Sequence, residues 1–186
     1  MKELSLNILD ITENSIKAGA ELTEIEIVEK GNLFTLTIKD NGCGMKEDFL
    51  KSVIDPFCTT RTPRKVGMGI PLLKLACEQT GGELKIVSKH KDEFPDTHGT
   101  TVTATFFKDH IDFTPLGDIV STIKTLIQCN PDRDFTFTHL CGENEVYLST
   151  PQMREVLGDT PLNTYEVICW IEDTLKEQYA IFGLNS

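Results

Sequence analysis

The sequence predicts an α+β fold with one substantial hydrophobic core. Two observations predict this class: several segments carry apolar residues at helical spacing, and others alternate apolar and polar residues in short runs joined by turn signals. The chain has 186 residues, of which 39% are apolar. This is enough to form the core of one domain, or of one domain with an extension.

The first segments predict a helix followed by a hairpin. Residues 3–18 are predicted to form a helix, and Gly19 is a typical C-terminal stop. Its apolar residues recur near helical spacing, at Leu4, Ile8, Ile11 and Ile16. Residues 23–29 and 33–39 alternate as strands do, and Lys30-Gly31-Asn32 between them is a hairpin signal.

The middle of the chain predicts a turn, two helices, a long loop and two more strands. Asp40 to Gly44 forms the turn, and a short helix follows at about 46–53. Residues 55–67 are polar and contain two prolines, which is typical of a functional loop. A helix is predicted over residues 70–80, with Pro71 tolerated in its first turn. Strands are predicted at 83–88 and 100–107.

A C-terminal extension, residues 111–186, follows the predicted first domain of residues 1–110. It is predicted to form a helix at 116–128, a hairpin at 134–149 and a second helix at 163–180. We expect the hairpin to add strands to an edge of the main sheet, because Phe135 and Phe137 alternate with polar residues. The last helix is rich in apolar residues and is predicted to cover the sheet or to form a dimer contact.

Composition excludes several classes of function. The net charge of −11, with dispersed basic residues, argues against DNA and RNA as partners. Neither a bilayer-spanning segment nor a signal peptide is recognisable, so we expect no membrane association and a cytoplasmic location. The six cysteines form no CxxC pair, which favours free thiols over disulfides or a zinc site.

Four short motifs fall where predicted elements begin or end. They are Asp10-Ile-Thr-Glu-Asn14, Asp40-Asn-Gly-Cys-Gly44, Gly67-Met-Gly69 and Gly99-Thr-Thr101. The third precedes a helix, where free backbone N–H groups and the helix dipole favour an anion. The cations Arg61, Arg64 and Lys65 lie just before it in an otherwise acidic chain. Each motif alone is common, but their order indicates a nucleotide site.

These motifs resemble those of the GHKL superfamily, which includes gyrase, heat-shock chaperone ATPases, histidine kinases and MutL-type repair proteins. Glu13-Asn-Ser-Ile-Lys-Ala-Gly-Ala20 and Asp40-Asn-Gly-Cys-Gly-Met45 are similar to the MutL version. Asp55-Pro-Phe-Cys-Thr-Thr-Arg61 and Gly67-Met-Gly-Ile70 are more similar to the histidine kinase version. The resemblance covers residues 4–107. It implies the Bergerat ATP-binding fold, a two-layer α/β sandwich with helices on one face of a mixed, mostly antiparallel sheet.

The resemblance also implies roles for individual residues. Asp40 would accept a hydrogen bond from the adenine amino group, with support from the Thr100 hydroxyl, while Gly42 and Gly44 let the backbone turn beneath the ring. Asn14 would bind the magnesium ion that bridges the phosphates of ATP. The triphosphate would contact a lid and the glycine loop, which comprise Thr59, Thr60, Arg61, Gly67, Met68 and Gly69.

One position departs from the hydrolytic members of the superfamily. Where they carry a glutamate as the general base for water, this chain has Asp10, whose side chain is one methylene shorter. A misplacement of about 1 Å can lower a rate on the order of 100-fold. We therefore expect Asp10 and Arg61 to act in phosphate transfer, with slow or absent hydrolysis.

The resemblance leaves three classes of function open. The first is a free-standing protein kinase of the anti-sigma-factor or serine-kinase type, expected because no segment with a phosphoacceptor histidine precedes the first helix. The second is an adaptor whose lid is ordered by nucleotide and controls a protein surface. The third is a scaffold with a degenerate pocket. A regulatory protein is the expected partner, and a homodimer is compatible with the sequence.

Overall fold

The computed structural model describes residues 3–54, 68–181 and 183, and within them the chain forms six helices and six strands. In chain order they are α1 (Leu4–Lys17), β1 (Leu22–Lys30), β2 (Leu33–Asp40), α2 (Glu47–Ile54), α3 (Gly69–Gln79), β3 (Leu84–Lys89), β4 (Gly99–Phe107), α4 (Ile119–Cys129), β5 (Asp134–Cys141), β6 (Asn144–Ser149), α5 (Thr150–Leu157) and α6 (Tyr165–Ile181).

The strands form one mixed sheet in the order β3-β4-β2-β1-β5-β6. Neighbouring strands are antiparallel except β1 and β5, which run parallel with Ile25 opposite Phe137. The predicted α+β class and mostly antiparallel sheet are confirmed. The prediction that the C-terminal hairpin extends the sheet is also confirmed, because β5 and β6 continue it beyond β1.

One face of the sheet is buried beneath the helices, and the other is polar. Along β1, Ile25 and Ile27 are buried, whereas Glu24 and Glu26 lie on the opposite face. This alternation follows from the two-residue period of a strand. The helices supply the other half of the core, chiefly through Leu4, Ile8, Ile11, Leu73, Ile119, Ile123, Ile127, Ile171 and Leu175.

A buried polar network ties the C-terminal segment to the first strands. His139 of β5 is 2% exposed, and its Nδ1 lies 2.9 Å from the Tyr179 hydroxyl of α6. Its Nε2 lies 3.1 Å from Glu29 Oε1, and the Lys108 ammonium donates to Glu29 Oε2 at 2.6 Å. The hydrogen bond from His139 and the charge of Lys108 lower the pKa of Glu29 to about 2. Burial raises the pKa of the Tyr179 hydroxyl, which therefore stays protonated.

Helix α5 is the main difference from the sequence-based expectation, which placed no helix between the hairpin and the last helix. It begins at Thr150, where the Ser149 side chain accepts a hydrogen bond from the Gln152 N–H and Pro151 occupies the first turn. Both features are typical helix-start signals. Helix α4 begins three residues later than expected, since Gly117 has a φ of +76° and Asp118 caps the helix.

Two composition-based expectations concern the membrane and the thiols. Among the described helices, none is long and apolar enough to cross a bilayer. The described cysteines are all free thiols, namely Cys43, Cys77, Cys129, Cys141 and Cys169, while Cys58 lies outside the described residues. Burial raises the pKa of Cys77 to about 11, so this residue behaves as a small apolar side chain of the core.

Candidate functional site

Helix α1 brings the first motif to one end of the sheet. Asp10 and Asn14 are four residues apart and therefore lie on the same side of the helix. Asp10 is exposed and Asn14 is half-buried, so both side chains are accessible to a ligand. The next residue, Ser15, is buried and points toward the sheet, where it contacts the end of β2.

The carboxylate of Asp40 is held by three hydrogen bonds at the end of β2. Ser15 Oγ donates to Asp40 Oδ2 at 2.8 Å, while the N–H of Gly42 donates to Oδ1 at 2.9 Å. The N–H of Thr100 also donates to Oδ1, at 3.2 Å. The carboxylate is therefore fixed by α1, by its own turn and by β4 together. A fixed acceptor of this kind suits recognition of an amino group.

The glycine turn after Asp40 requires close backbone approach. A Cβ atom added at Gly42 would lie 3.0 Å from Ala18 Cβ on the α1 side. Gly44 has a φ of +68°, and a Cβ there would collide with the Lys89 carbonyl oxygen. Asn41 anchors the turn, since its side-chain oxygen accepts hydrogen bonds from the N–H groups of Glu21 and Leu22 at 2.8 and 2.9 Å. The turn is thus built into the fold.

Thr100 contacts Asp40 through its backbone, because β2 and β4 pair these two residues directly. The Thr100 hydroxyl lies 2.8 Å from the Ser88 hydroxyl of β3, and Ser88 Oγ accepts a hydrogen bond from the Met45 N–H at 2.7 Å. The threonine thus links three strands and the glycine turn. The resemblance implied that the Thr100 hydroxyl supports the Asp40 carboxylate. In the structure it is the Thr100 N–H that donates to this carboxylate.

The start of helix α3 lies against Asp10. A Cβ added at Gly69 would lie 2.7 Å from Asp10 Oδ2, so a larger residue here would have to displace the Asp10 side chain. Met68, the N-cap residue, is 67% exposed. The first-turn N–H groups of a helix have no partner within it, and the helix dipole adds positive charge there. The start of α3 therefore favours an anionic group.

The structure brings together eight of the residues singled out in the sequence. Contacts through Ser15 and Gly69 join the segments that carry Asp10, Asn14, Asp40, Gly42, Gly44, Met68, Gly69 and Thr100. The other four, Thr59, Thr60, Arg61 and Gly67, lie outside the described residues.

The donor set fits a weakly held hard cation. Within the described ranges, no cluster of three His, Cys, Asp or Glu side chains is arranged to hold a metal ion. The Asn14 amide oxygen, on the half-buried side chain of this residue, is the donor expected on this side of α1. One neutral protein oxygen suits Mg²⁺ bound mainly through phosphate and water.

Sequence reasoning missed three residues that support the site. Ser15 fixes Asp40, Ser88 bridges Thr100 and Met45, and His98 Nδ1 lies 2.6 Å from the Gly42 carbonyl oxygen. Ser15 was signalled by its position four residues after the buried Ile11, which places it on the core face of α1. The other two became visible only through strand pairing and loop geometry.

The N-terminal part of the chain matches a known family. Residues 2–110 match the family described as histidine kinase-, DNA gyrase B- and HSP90-like ATPase. That match covers more than half of the 186 residues, and the chain belongs to this family. It is the ATPase domain of the superfamily that the motifs resembled.

Curated relatives include sensor proteins and kinases. The chain is 30% identical over 94 residues to sensor protein KdpD of Clostridium acetobutylicum, a match that covers 48% of this chain and 10% of the relative. It is 28% identical over 89 residues to sporulation kinase C of Bacillus subtilis, covering 48% of this chain and 20% of that protein. The chain thus spans a fifth or less of the length of these relatives.

Solved structures share the fold over a longer stretch. The MutL ATPase domain of Aquifex aeolicus, complexed with ADP, superposes with a TM-score of 0.58 at 18% identity, covering 84% of this chain and 69% of that one. The N-terminal domain of a DNA repair protein gives the same TM-score at 16% identity, covering 80% of this chain and 53% of that one. The two-layer ATP-binding fold is therefore confirmed.

Proposed function

We propose that this protein binds Mg–ATP and transfers the terminal phosphate to a serine or histidine of a regulatory protein, in the manner of an anti-sigma-factor serine kinase. The observation that carries the proposal is the Asp40 carboxylate, fixed by Ser15, Gly42 and Thr100 at the end of β2. An acceptor fixed beforehand selects an adenine amino group over the carbonyl of guanine, because the mismatched pair would leave both groups without a partner.

The phosphates would extend from the base toward the start of α3. Asn14 would hold the magnesium ion through its side-chain oxygen, and the α3 N-terminus would receive the negative charge of the phosphates. Magnesium would neutralise the charge that develops on the transferred group. Asp10, in contact with Gly69, would orient or deprotonate the acceptor hydroxyl, and on sequence grounds alone we assign charge stabilisation to Arg61.

The positions of the histidines favour an acceptor on a partner protein. His139 is buried and bonded to Tyr179 and Glu29, and His98 bonds the Gly42 carbonyl. His90 and His110 lie in loops beside Asp92 and Asp112. All four lie in loops or strands that follow α1 and β2 in the chain, whereas the resemblance to histidine kinases implies a phosphoacceptor histidine in a segment before the ATP-binding domain.

A second candidate is a nucleotide-controlled adaptor with little turnover. The short side chain of Asp10 favours it, because hydrolytic members of the superfamily use the longer glutamate at this position. In that case ATP binding would itself be the signal, and the nucleotide would need different affinities for two states of the protein.

Product analysis separates the two candidates. The purified protein is incubated with Mg²⁺ and γ-labelled ATP, with and without cell extract from the source organism, and ADP and labelled proteins are quantified. Label on a partner that disappears with Asn14→Ala supports the kinase. Saturable ATP binding without label or ADP supports the adaptor. If calorimetry detects no ATP binding, both candidates are wrong.

A further inference from the structure

A groove on the C-terminal segment lies outside the nucleotide site and has a volume of about 580 Å³. The α5–α6 groove, as we name it, is lined by Tyr147, Leu148, Ser149, Gln152, Met153, Val156, Leu157, Glu166, Val167, Trp170 and Thr174. Its floor consists of the buried side chains Leu148, Met153 and Val167. A volume of this size is typical of a binding pocket rather than of a packing defect.

Large apolar side chains are left exposed along the groove. Trp170 is 53% exposed, Val156 is 87% exposed and Tyr147 is 38% exposed. Exposed apolar residues scattered singly are ordinary, but a contiguous set around a concave surface marks an interaction site. A half-exposed tryptophan beside a pocket is also the side chain most often found at the energetic centre of an interface.

Negative charge surrounds this apolar surface. Glu166 lines the groove, and Glu155, Asp173 and Glu177 are exposed on α5 and α6, each next to a lining residue or one turn from it. None of these four carboxylates forms a salt bridge with another described residue. The basic residues of these two helices are engaged elsewhere, since Arg154 bonds Asp134 and Lys176 bonds Glu172. The charge of the groove is therefore open to a cationic partner.

The charge also argues against a second copy of this chain as the occupant. A two-fold symmetric contact through the groove would bring the acidic side chains of both copies into one interface, and the chain already has a net charge of −11. Like charges in an interface oppose association.

Helix α6 opposes strand addition at this edge of the sheet. β6 is the edge strand, but the Tyr147 N–H donates to Gln178 Oε1 at 2.7 Å, and Gln178 Nε2 donates to the Tyr147 carbonyl at 3.1 Å. The Gln178 side chain thus occupies the N–H and carbonyl of Tyr147, in the middle of β6, where it would compete with an added strand.

From these observations we infer that the α5–α6 groove binds a basic amphipathic helix of a partner protein. About three apolar side chains, spaced i, i+3 or i+4 and i+7, would enter the groove. Lysine or arginine residues beside them would pair with Glu155, Glu166, Asp173 and Glu177. The inference does not depend on the proposed phosphate transfer, because the groove lies at the sheet edge opposite β3 and shares no residue with the nucleotide site.

Trp170 provides a direct readout, because it is the single tryptophan of the chain. The probe is a synthetic helical peptide of about 16 residues with leucines at i, i+3 and i+7 and lysines on both flanks of that stripe. Two peptides serve as controls, one with the same residues in scrambled order and one with glutamates in place of the lysines. The basic periodic peptide is expected to shift Trp170 emission to shorter wavelength in a saturable way. The two control peptides are expected to bind at least about tenfold more weakly.

Variants locate the binding surface, with labelled-peptide anisotropy as the readout. Val156→Glu is expected to weaken binding at least about tenfold, since it places a charge in the apolar groove. Ile111→Glu is the matched control, because Ile111 is 95% exposed and lies outside the groove, and it should change affinity less than about twofold. ATP affinity should be the same in both variants, which separates this test from that of the proposed function.

Several results would overturn the inference. They are equal binding of the scrambled or acidic peptide, equal loss in both variants, and no saturable binding at millimolar peptide. A concentration-dependent dimer that Val156→Glu dissociates would assign the groove to a second copy of the chain, and would overturn the inference as well.

Discussion

Asp40 illustrates how single residues shape the candidate site. Its two carboxylate oxygens receive a hydroxyl and two backbone N–H groups, so the side chain has one orientation. Preorganised acceptors lose little conformational entropy on binding. The remaining lone pair on Oδ2, beside Ser15, is the one we assign to the adenine amino group.

Replacing this carboxylate tests where the base binds. In Asp40→Asn, one oxygen can still accept from Gly42 and Thr100, but an NH₂ group would face the adenine amine. We expect affinity for both ATP and ADP to fall at least about tenfold, with or without magnesium. Calorimetric titration measures the change, and Asp159→Asn, an exposed aspartate far along the chain, is the control. Unchanged affinity would show that the base lies elsewhere.

Asp10 tests phosphate transfer separately from binding. Asp10→Asn keeps the shape of the side chain beside Gly69 but removes its charge and basicity. We expect the transfer rate to fall about 100-fold or more, while ATP affinity is retained or increases, because a negative charge near the phosphates is lost. Single-turnover transfer and nucleotide titration on the same preparation measure the two effects. A variant that transfers at the parental rate would exclude Asp10 from the chemistry.

At the scale of elements, the junction of β6 and α5 depends on one fully buried hydroxyl. Thr150 is 0% exposed, and its Oγ1 accepts from the Phe135 N–H at 2.8 Å and donates to Asp134 Oδ1 at 2.9 Å. It thereby fastens the start of α5 to the start of β5. Asp134 also accepts a hydrogen bond from Arg154 Nε, at 2.8 Å. The side chains of Thr150, Asp134 and Arg154 are thus hydrogen-bonded to one another or to the start of β5.

Thr150→Val keeps the shape of this side chain and removes both hydrogen bonds. The buried Phe135 N–H then has no partner, and we expect the free energy of unfolding to fall by about 1–3 kcal/mol. Urea denaturation followed by circular dichroism measures it. Thr125→Val is the matched control, since Thr125 is exposed on α4 and bonds only a carbonyl of its own helix. A Thr150 effect no larger than that of Thr125 would contradict the assigned role.

The elements differ in how far their sequence predicted them. β1 and β2 were recognisable because one buried face imposes an alternating pattern, and α1 because its core face recurs every three to four residues. Helix α5 was missed, since eight residues between a strand and a loop give little periodicity, and its start depends on the Ser149 cap. In the site, Asp40 was found through its motif, but Ser88 and His98 were not. Their contacts come from strands and loops far apart in sequence.

At the scale of the whole molecule, the two surfaces of interest lie in different parts of one sheet. The proposed nucleotide site lies at the ends of β2 and β4 and the start of α3, whereas the α5–α6 groove lies beyond β6 at the edge. Between them, β1 and β5 form the parallel pair that joins residues 2–110, which match the family, to the C-terminal segment. The Glu29–His139–Tyr179 network crosses this pair on its buried face.

This network predicts a defined pH dependence of stability. Glu29 has a pKa of about 2 in the folded protein, against an ordinary value of 4.5, because His139 and Lys108 stabilise its charged form. The folded state therefore binds fewer protons than the unfolded state between these values. The stabilisation is complete above about pH 4.5 and is lost as the pH falls toward about 2.

Glu29→Gln removes the titrating group and should reveal this window. At neutral pH we expect the variant to be less stable than the parent by about 1–3 kcal/mol, because His139 and Lys108 lose their charged partner. The difference should shrink as the pH is lowered from about 4.5 to 2. Glu24→Gln is the control on the opposite face of β1, where the exposed pair with Lys39 contributes about 0–1 kcal/mol. Urea unfolding at a series of pH values measures both variants. The stability difference between Glu29→Gln and the parent could instead stay constant with pH. Glu29 would then have the same pKa in the folded and unfolded chain, and the charge of the network would not stabilise the contact between β1 and β5.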